Sequence, residues 1–228
     1  MRVLAIADPH LSASDHKPMD VFGANWAGHP EAFFAGWRDT VREGDLVLVA
    51  GDVSWAMRLE EALPDLEAIA ALPGRKVLLR GNHDYWWPSL RKLRAALPEG
   101  MHAIQHDALR IGEVIVAGTR GWVVPGSPGW SEQDQRIYER ELQRLQLSLD
   151  AAARLGEGDL IVMLHFPPTN PRGEPSAMLD LVAAARPYAL VFGHVHGDAA
   201  VHVPSIPGTR VHFVAADALR FRPALIRP

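Results

Sequence analysis

The stretch Lys76-Val77-Leu78-Leu79-Arg80-Gly81-Asn82-His83-Asp84 decides the fold. Its first part is mostly apolar and ends at a glycine, which predicts a short buried strand over Lys76–Arg80. Polar side chains follow the glycine at once. A buried strand, a glycine and then a polar cluster are typical of an α/β sheet, because ligands bind outside the carboxyl ends of its strands.

The same order recurs along the chain. Further buried strands are predicted at Val3–Ala7, Leu46–Ala50, Leu160–Leu164 and Ala189–Phe192. The polar clusters that follow them are Asp8 with His10, Gly51-Asp52, His165, and Gly193-His194-Val195-His196. Because the ends of neighbouring parallel strands meet at one edge of a sheet, five such clusters predict one shared site.

These clusters contain the side chains that divalent metals prefer. The carboxylate, amide and imidazole groups belong to Asp8, His10, Asp52, Asn82, His165, His194 and His196. Oxygen and nitrogen ligands of this kind bind divalent first-row metals, and the set is too large for one four-coordinate ion. Each cluster alone has an ordinary structural explanation, such as a turn aspartate or a packed histidine. Together they predict two ions that share a carboxylate.

The composition restricts the class of protein. A chain of 228 residues with 48% hydrophobic and 22% charged residues predicts a single globular domain over residues 1–228. The formal net charge of −4 without a basic run predicts no nucleic-acid partner and no anionic membrane surface. No apolar stretch approaches the roughly 18 residues of a membrane span. The chain has no cysteine, which excludes thiolate ligands and disulfides and favours a cytoplasmic location.

The remaining elements follow from periodicity and from capping signals. Helices are predicted at Pro30–Arg42, at Leu59–Leu72 with a break or kink at Pro64, at Ser89–Leu97, from a capping box of Ser131 and Asp134, and near residues 176–185. Strand-like segments lie at residues 101–106, 108–111 and 113–118. The tail, residues 199–225, predicts two or three antiparallel strands.

The ordered motif set resembles the calcineurin-like metallophosphoesterase superfamily. The resemblance rests on Asp8-x-His10, Gly51-Asp52, Gly81-Asn82-His83-Asp84, His165 and Gly193-His194-x-His196, which span nearly the whole chain in the family order. It is strongest to the bacterial predicted phosphohydrolases. The resemblance implies an α/β fold, a four-layer α/β/β/α sandwich with two mixed central sheets.

The resemblance also implies a role for each residue. The first ion would take Asp8, His10 and His196, and Asp52 would bridge to a second ion held by Asn82, His165 and His194. His83 would be the general acid, with Asp84 orienting it. The two divalent ions would be manganese or iron, with zinc, cobalt or nickel as alternatives, since sites of this kind follow metal availability as well as affinity.

The implied reaction is hydrolysis of a phosphoester by in-line attack of a hydroxide that bridges the two ions. The continuation Val53-Ser54-Trp55-Ala56 departs from the pattern of the protein phosphatase branch and argues against a phosphoprotein substrate. A phosphodiesterase acting on small soluble substrates is the favoured interpretation. Alternatives are a phosphomonoesterase or nucleotide pyrophosphatase of the same family, and a non-catalytic metal-binding scaffold. A nuclease of the same family would need a basic groove, for which the sequence gives no sign.

The choice of diester depends on residues expected around the pocket. Six tryptophans would either stack on a substrate, worth about 1–3 kcal/mol per base, or pack the loops: Trp26, Trp55, Trp86, Trp87, Trp122 and Trp130. A monoesterase would gain from arginines at the phosphate, for which the candidates are Arg58, Arg120 and Arg172. His16 and His29, in the first long loop, are either structural or in contact with substrate.

Overall fold

The computed structural model describes residues 1–14 and 17–228. Its strands are β1 (Val3–Ile6), β2 (Leu46–Ala50), β3 (Arg75–Leu79), β4 (Met101–Ile104), β5 (Ala108–Ile111), β6 (Val114–Thr119), β7 (Asp159–Leu164), β8 (Ala189–Phe192), β9 (Arg210–Phe213) and β10 (Ala224–Arg227). Its α-helices are α1 (His29–Thr40), α2 (Leu59–Ala70), α3 (Leu90–Ala96), α4 (Glu132–Arg154) and α5 (Ala177–Ala185). Short 3₁₀ turns lie at Asp20–Phe22 and Ala24–Trp26.

The strands form two five-stranded mixed sheets. The first has the order β10-β1-β2-β3-β4, in which only the β10 pairing is antiparallel. The second has the order β5-β6-β7-β8-β9, in which only the β5 pairing is antiparallel. In each sheet, therefore, the parallel strands point their carboxyl ends toward the same edge.

The two sheets pack face to face between helices. Because β2 is buried on both faces, its residues are apolar throughout: Leu48 packs between the sheets, whereas Val49 packs toward the first helical layer with Trp37. On the far side, α4 and α5 cover the second sheet through Leu145 and Val182. These three apolar clusters confirm the predicted four-layer α/β/β/α sandwich.

Two predictions about individual elements need correction. The tail does not form its own antiparallel strands, since β9 pairs in parallel with β8 while β10 pairs with β1 in the other sheet. A β-rich pattern specifies a half-buried strand but not its partner. A break at Pro64 is wrong, because α2 continues through this residue to Ala70, whereas a kink there stays a prediction.

The predicted capping box at the start of α4 is confirmed. The Ser131 hydroxyl accepts a hydrogen bond from the backbone N–H of Asp134, and the Asp134 carboxylate accepts one from the backbone N–H of Ser131. This exchange pairs two backbone donors at the helix start. Among the described helices, none is both long enough and apolar enough to cross a membrane.

Candidate metal centre

The backbone is strained where the polar clusters leave the sheets. Asp8, His10, Asp52 and His194 have φ values of 60°, 47°, 52° and 75°. Positive φ is uncommon outside glycine and costs of order 1–3 kcal/mol per residue. Four such residues among the seven predicted ligands indicate that the fold holds these side chains in place at a cost in stability.

Two glycines make room for the carboxylates. A Cβ atom added to Gly81 would collide with Asp52, and one added to Gly193 would collide with the carboxylate of Asp8 and with Ala7. Gly81 therefore lets the loops after β2 and β3 pack together, and Gly193 lets the loop after β8 in the second sheet approach the loop after β1 in the first. That approach brings the motifs of the first sheet against those of the second.

Asp8, His10 and His196 form the first cluster. The Nε2 atoms of His10 and His196 lie 3.4 Å apart, and Asp8 Oδ1 lies 3.7 Å from His196 Nε2. Asp8 is fully buried, and its Oδ1 atom has no hydrogen-bond partner among the described residues. Burial raises the pKa of Asp8 to about 7. The Oδ2 atom of Asp8 accepts a hydrogen bond from the backbone N–H of His194 at 2.9 Å, so one oxygen of this buried carboxylate lacks a partner. A cation between the three side chains would pair with it.

Asp52, His165 and His194 form the second cluster, with Asn82 beside them. Asp52 Oδ2 lies 3.4 Å from His165 Nε2 and 3.8 Å from His10 Nε2, so this carboxylate faces both clusters. Asn82 Oδ1 lies 2.8 Å from His165 Nε2. The donor set is one of oxygen and imidazole nitrogen, as divalent first-row metals require. The residues therefore fit two ions with Asp52 between them.

The pKa values of the candidate ligands depend on their burial and on the charge of Asp52. Burial lowers the pKa of His10 and of His194 to about 3, so both imidazoles are neutral and able to act as ligands. Burial also opposes ionisation of Asp52, but the neighbouring His165 and His10 hold its pKa below the usual range. For His165, burial is outweighed by Asp52 and the pKa rises to about 9. A cation would displace that proton, since metal binding requires neutral histidine.

Two of the histidines have partners that orient their rings. His165 Nδ1 lies 3.0 Å from the carbonyl oxygen of Ala50, and His196 Nδ1 lies 3.0 Å from Asp217 Oδ1. In each ring Nδ1–H donates outward, which leaves the Nε2 lone pair directed into the site. Asp217 was not predicted from the sequence. The available signal was its position four residues after β9, another strand end.

His83 differs from the seven candidate ligands. Its backbone N–H donates to Asp52 Oδ1 at 2.8 Å, while its half-buried ring packs against Trp55 with a centroid distance of 4.6 Å. The ring lines a cavity of about 190 Å³ next to the first cluster. The imidazole of His83 is therefore placed to meet a group that enters this cavity.

The predicted role of Asp84 needs correction. Asp84 is fully buried, and its carboxylate accepts hydrogen bonds from the indole N–H of Trp86 and from four backbone N–H groups, those of Gly81, Asp52, Val53 and Ser54. Among the described residues, its hydrogen-bond donors do not include the ring of His83. Adjacency in sequence suggested that contact, but the chain uses this carboxylate to join the loops after β2 and β3.

The tryptophans divide between pocket and core. Trp55 stacks on His10 with a centroid distance of 4.8 Å, and both Trp55 and Trp26 line the cavity beside His83. Trp86 and Trp87 are buried in the core cluster, to which Trp26 also belongs. In the other loops, Trp122 packs against Phe166 and Trp130 against Tyr138.

His29 and two of the three candidate arginines are engaged in structural contacts. His29 is buried, with Nε2 3.2 Å from the carbonyl oxygen of His10. This contact assigns His29 a structural role in holding the loop after β1. His16 lies outside the described residues. Arg120 pairs with the buried Glu141 at 3.4 Å and Arg172 with Glu174 at 2.8 Å. Arg58 is exposed at the start of α2.

Comparisons with known proteins give a matching family and a shared fold. A family model described as calcineurin-like phosphoesterase matches residues 1–198. No curated protein sequence matches significantly. The phosphopantetheinyl hydrolase of Mycobacterium tuberculosis is similar in structure, with a TM-score of 0.53 at 14% identity over 94% of this chain and 88% of that one. A protein of unknown function from Aquifex aeolicus gives a TM-score of 0.49 at 14% identity over 98% and 95%. At such identity the hydrolase shares the fold.

Proposed function

Because this chain belongs to the calcineurin-like phosphoesterase family and is a metal-dependent phosphoesterase, we propose that it hydrolyses small phosphodiesters. One ion would be held by Asp8, His10 and His196, and the other by Asn82, His165 and His194. The observation that carries the proposal is the placement of Asp52, whose Oδ2 atom faces His165 and His10 at 3.4 and 3.8 Å. Manganese or iron is the proposed metal.

When bound, the ions would supply a water of lowered pKa and would neutralise charge on the phosphate. The chain itself orients the ligands through Ala50 and Asp217 and keeps Asp52 between the clusters. In hydrolysis, a bond forms between the water oxygen and phosphorus while the bond from phosphorus to the leaving oxygen breaks. His83 would donate a proton or a hydrogen bond to that leaving oxygen.

A diester is proposed over a monoester on the basis of charge. A monoester carries about two negative charges near neutral pH and gains from bidentate arginines beyond the metals. Arg120 and Arg172 are already paired with Glu141 and Glu174. The cavity beside His83 is lined instead by apolar and aromatic side chains. A phosphomonoesterase or nucleotide pyrophosphatase is the second candidate.

Two further features support catalysis by the whole chain. A non-catalytic scaffold is disfavoured because the seven candidate ligands and His83 are all present. Both sheets contribute ligands to the site, which supports a single catalytic unit over residues 1–228. The absence of cysteine is consistent with the proposed cytoplasmic location.

The test replaces His83 by alanine and varies the leaving group. We expect His83→Ala to keep its metal content and to lose about 10²–10⁴-fold in kcat/KM on diesters with alkoxide leaving groups, because these need a proton. The loss should be small for bis-p-nitrophenyl phosphate. His102→Ala, a half-buried histidine on β4, is the matched control. An equal loss on both classes of substrate would show that His83 positions substrate or water instead.

A second measurement tests the substrate class. With the metal fixed, kcat/KM is compared for bis-p-nitrophenyl phosphate, p-nitrophenyl phosphate and a cyclic nucleotide. We expect the diesters to be preferred. A tenfold preference for the monoester would overturn the diesterase proposal and leave the metal centre unaffected.

A further inference from the structure

Two separate cavities flank the candidate metal centre, one against each ligand cluster. The first cleft, of about 190 Å³, contacts His10 and His196 of the first cluster and includes His83. The second cleft, of about 180 Å³, contacts His194 of the second cluster. Among the described residues, these two clefts therefore contact different ligand clusters.

The walls of the first cleft are flat and aromatic. Besides the three histidines, its lining consists of Met19, Phe22, Trp26 and Trp55. Trp26 packs edge-on against His196 with a centroid distance of 5.3 Å, and Phe22 is 64% exposed at the outer side. Trp26 itself is only 1% exposed, so the aromatic surfaces that can stack on a planar group are those of Phe22 and Trp55.

The walls of the second cleft are mainly aliphatic. Phe166 lies with its ring centroid 3.8 Å from that of His194, and Ser127, Thr169 and His202 contribute polar groups. Most of the remaining wall is formed by valines and prolines: Val123, Val124, Pro128, Pro167, Pro171, Val195 and Val201. Branched aliphatic and proline side chains offer van der Waals contact to a slender chain, without a planar surface for stacking.

The sizes of the clefts show how they would be used. Small-molecule sites typically have about 300–1,000 Å³, so each cleft by itself lies below that range, whereas the two together reach its lower part. A phosphodiester has one phosphorus between two ester substituents. Its shape therefore matches a metal centre that lies between two half-sized pockets.

We propose that this enzyme binds a diester across the metal centre, with the leaving substituent in the first cleft and the retained substituent in the second. The direction follows from His83, which lines only the first cleft of the two. Since a general acid must reach the leaving oxygen, that oxygen lies on the side of the first cleft. The substrate class is an aryl or nucleobase-bearing leaving group joined through phosphate to an aliphatic chain.

The proposal rests on the proposed diesterase function. In the reaction, the bond between phosphorus and the leaving oxygen breaks and a bond from water oxygen to phosphorus forms. A proton passes from His83 to the leaving oxygen, the attacking water releases a proton to solvent, and solvent returns one to His83. The hydroxyl product then departs from the first cleft. The monoester product keeps its substituent in the second cleft.

Two series of synthetic diesters separate the clefts. Ethyl, butyl and hexyl p-nitrophenyl phosphates vary only the retained substituent. Methyl phenyl and methyl 2-naphthyl phosphates vary the leaving substituent between phenols of similar acidity. For the unaltered holoenzyme at saturating metal we expect kcat/KM to rise with chain length, by up to about fourfold per added methylene. We also expect naphthyl to exceed phenyl by about fivefold or more.

Variants at each cleft should change one series and not the other. Val201→Trp, which fills the second cleft, should flatten the chain-length series and keep the naphthyl preference. Phe22→Ala, at an exposed wall of the first cleft, should reduce the naphthyl preference and keep the chain-length series. If Val201→Trp does not fold, the exposed Pro128→Trp replaces it.

The results also distinguish failure of the two-cleft assignment from failure of the proposed diesterase function. If diesters are hydrolysed but each variant changes both series alike, or neither series changes, the two-cleft assignment is overturned and the diesterase function stands. If Val201→Trp instead reduces the naphthyl preference and Phe22→Ala flattens the chain-length series, the leaving substituent occupies the second cleft and the proposed direction is wrong. Hydrolysis of monoesters alone would overturn the proposed function and this proposal together.

Discussion

The two ligand clusters are held in different ways. His165 in the second cluster is fully buried, and its ring is oriented by a backbone carbonyl at the end of β2. His196 in the first cluster is 25% exposed, and its ring is oriented by the side chain of Asp217, from the tail between β9 and β10. A backbone carbonyl at a strand end is fixed by the sheet, whereas the position of the Asp217 carboxylate also depends on its side-chain rotamer. The first cluster should therefore be the weaker metal site.

The largest expected effect comes from the residue that both clusters share. Asp52→Asn removes the carboxylate that faces His10 and His165, so we expect a loss on the order of 10³-fold in kcat, since a metal supplies several kcal/mol of transition-state stabilisation. Metal content should fall below two ions per chain. Asp198→Asn, an exposed aspartate near His196, controls for the loss of charge. A variant that keeps two ions and full activity would disprove the bridging role.

Asp84→Asn should weaken the hydrogen bonds that join the loops after β2 and β3. An amide cannot accept all the hydrogen bonds that reach Asp84, and each buried donor left unpaired costs about 1–3 kcal/mol. We expect the free energy of unfolding to fall by about 3 kcal/mol or more, as measured by urea denaturation in chelator. Asp150→Asn, exposed on α4, is the control.

The activity of Asp84→Asn separates support from catalysis. Any loss should be equal for alkoxide and nitrophenolate leaving groups, since Asp84 binds backbone N–H groups. A loss confined to substrates with alkoxide leaving groups would show instead that Asp84 orients His83.

A smaller effect should distinguish the first cluster from the second. Partners of metal-binding histidines typically contribute about 10–100-fold in metal affinity. Asp217→Asn should therefore weaken one of the two ions by this factor and leave the other within about twofold, as measured by stepwise chelation. Full activity should return at higher metal concentration. Equal weakening of both ions would contradict the asymmetry, and Asp198→Asn serves again as the control.

The sequence predicted most of this site because its ligands follow strands. Asp52 and His165 directly follow apolar runs, or a single glycine after them, and parallel pairing brings such positions to one edge. The pattern could not reveal which loop residue supports which ligand. Asp217 lies in a tail whose strands pair with different sheets, and the contacts of Asp84 depend on how two loops pack. Those relations are tertiary and leave no periodic signal.

The most direct test of the two-metal centre is a crystal structure of protein grown with Mn²⁺, with an anomalous difference map. We expect two peaks about 3.5–4 Å apart. One should lie among Asp8, His10 and His196, the other among Asn82, His165 and His194, and Asp52 should touch both. A single peak, or two peaks that do not share Asp52, would contradict the account.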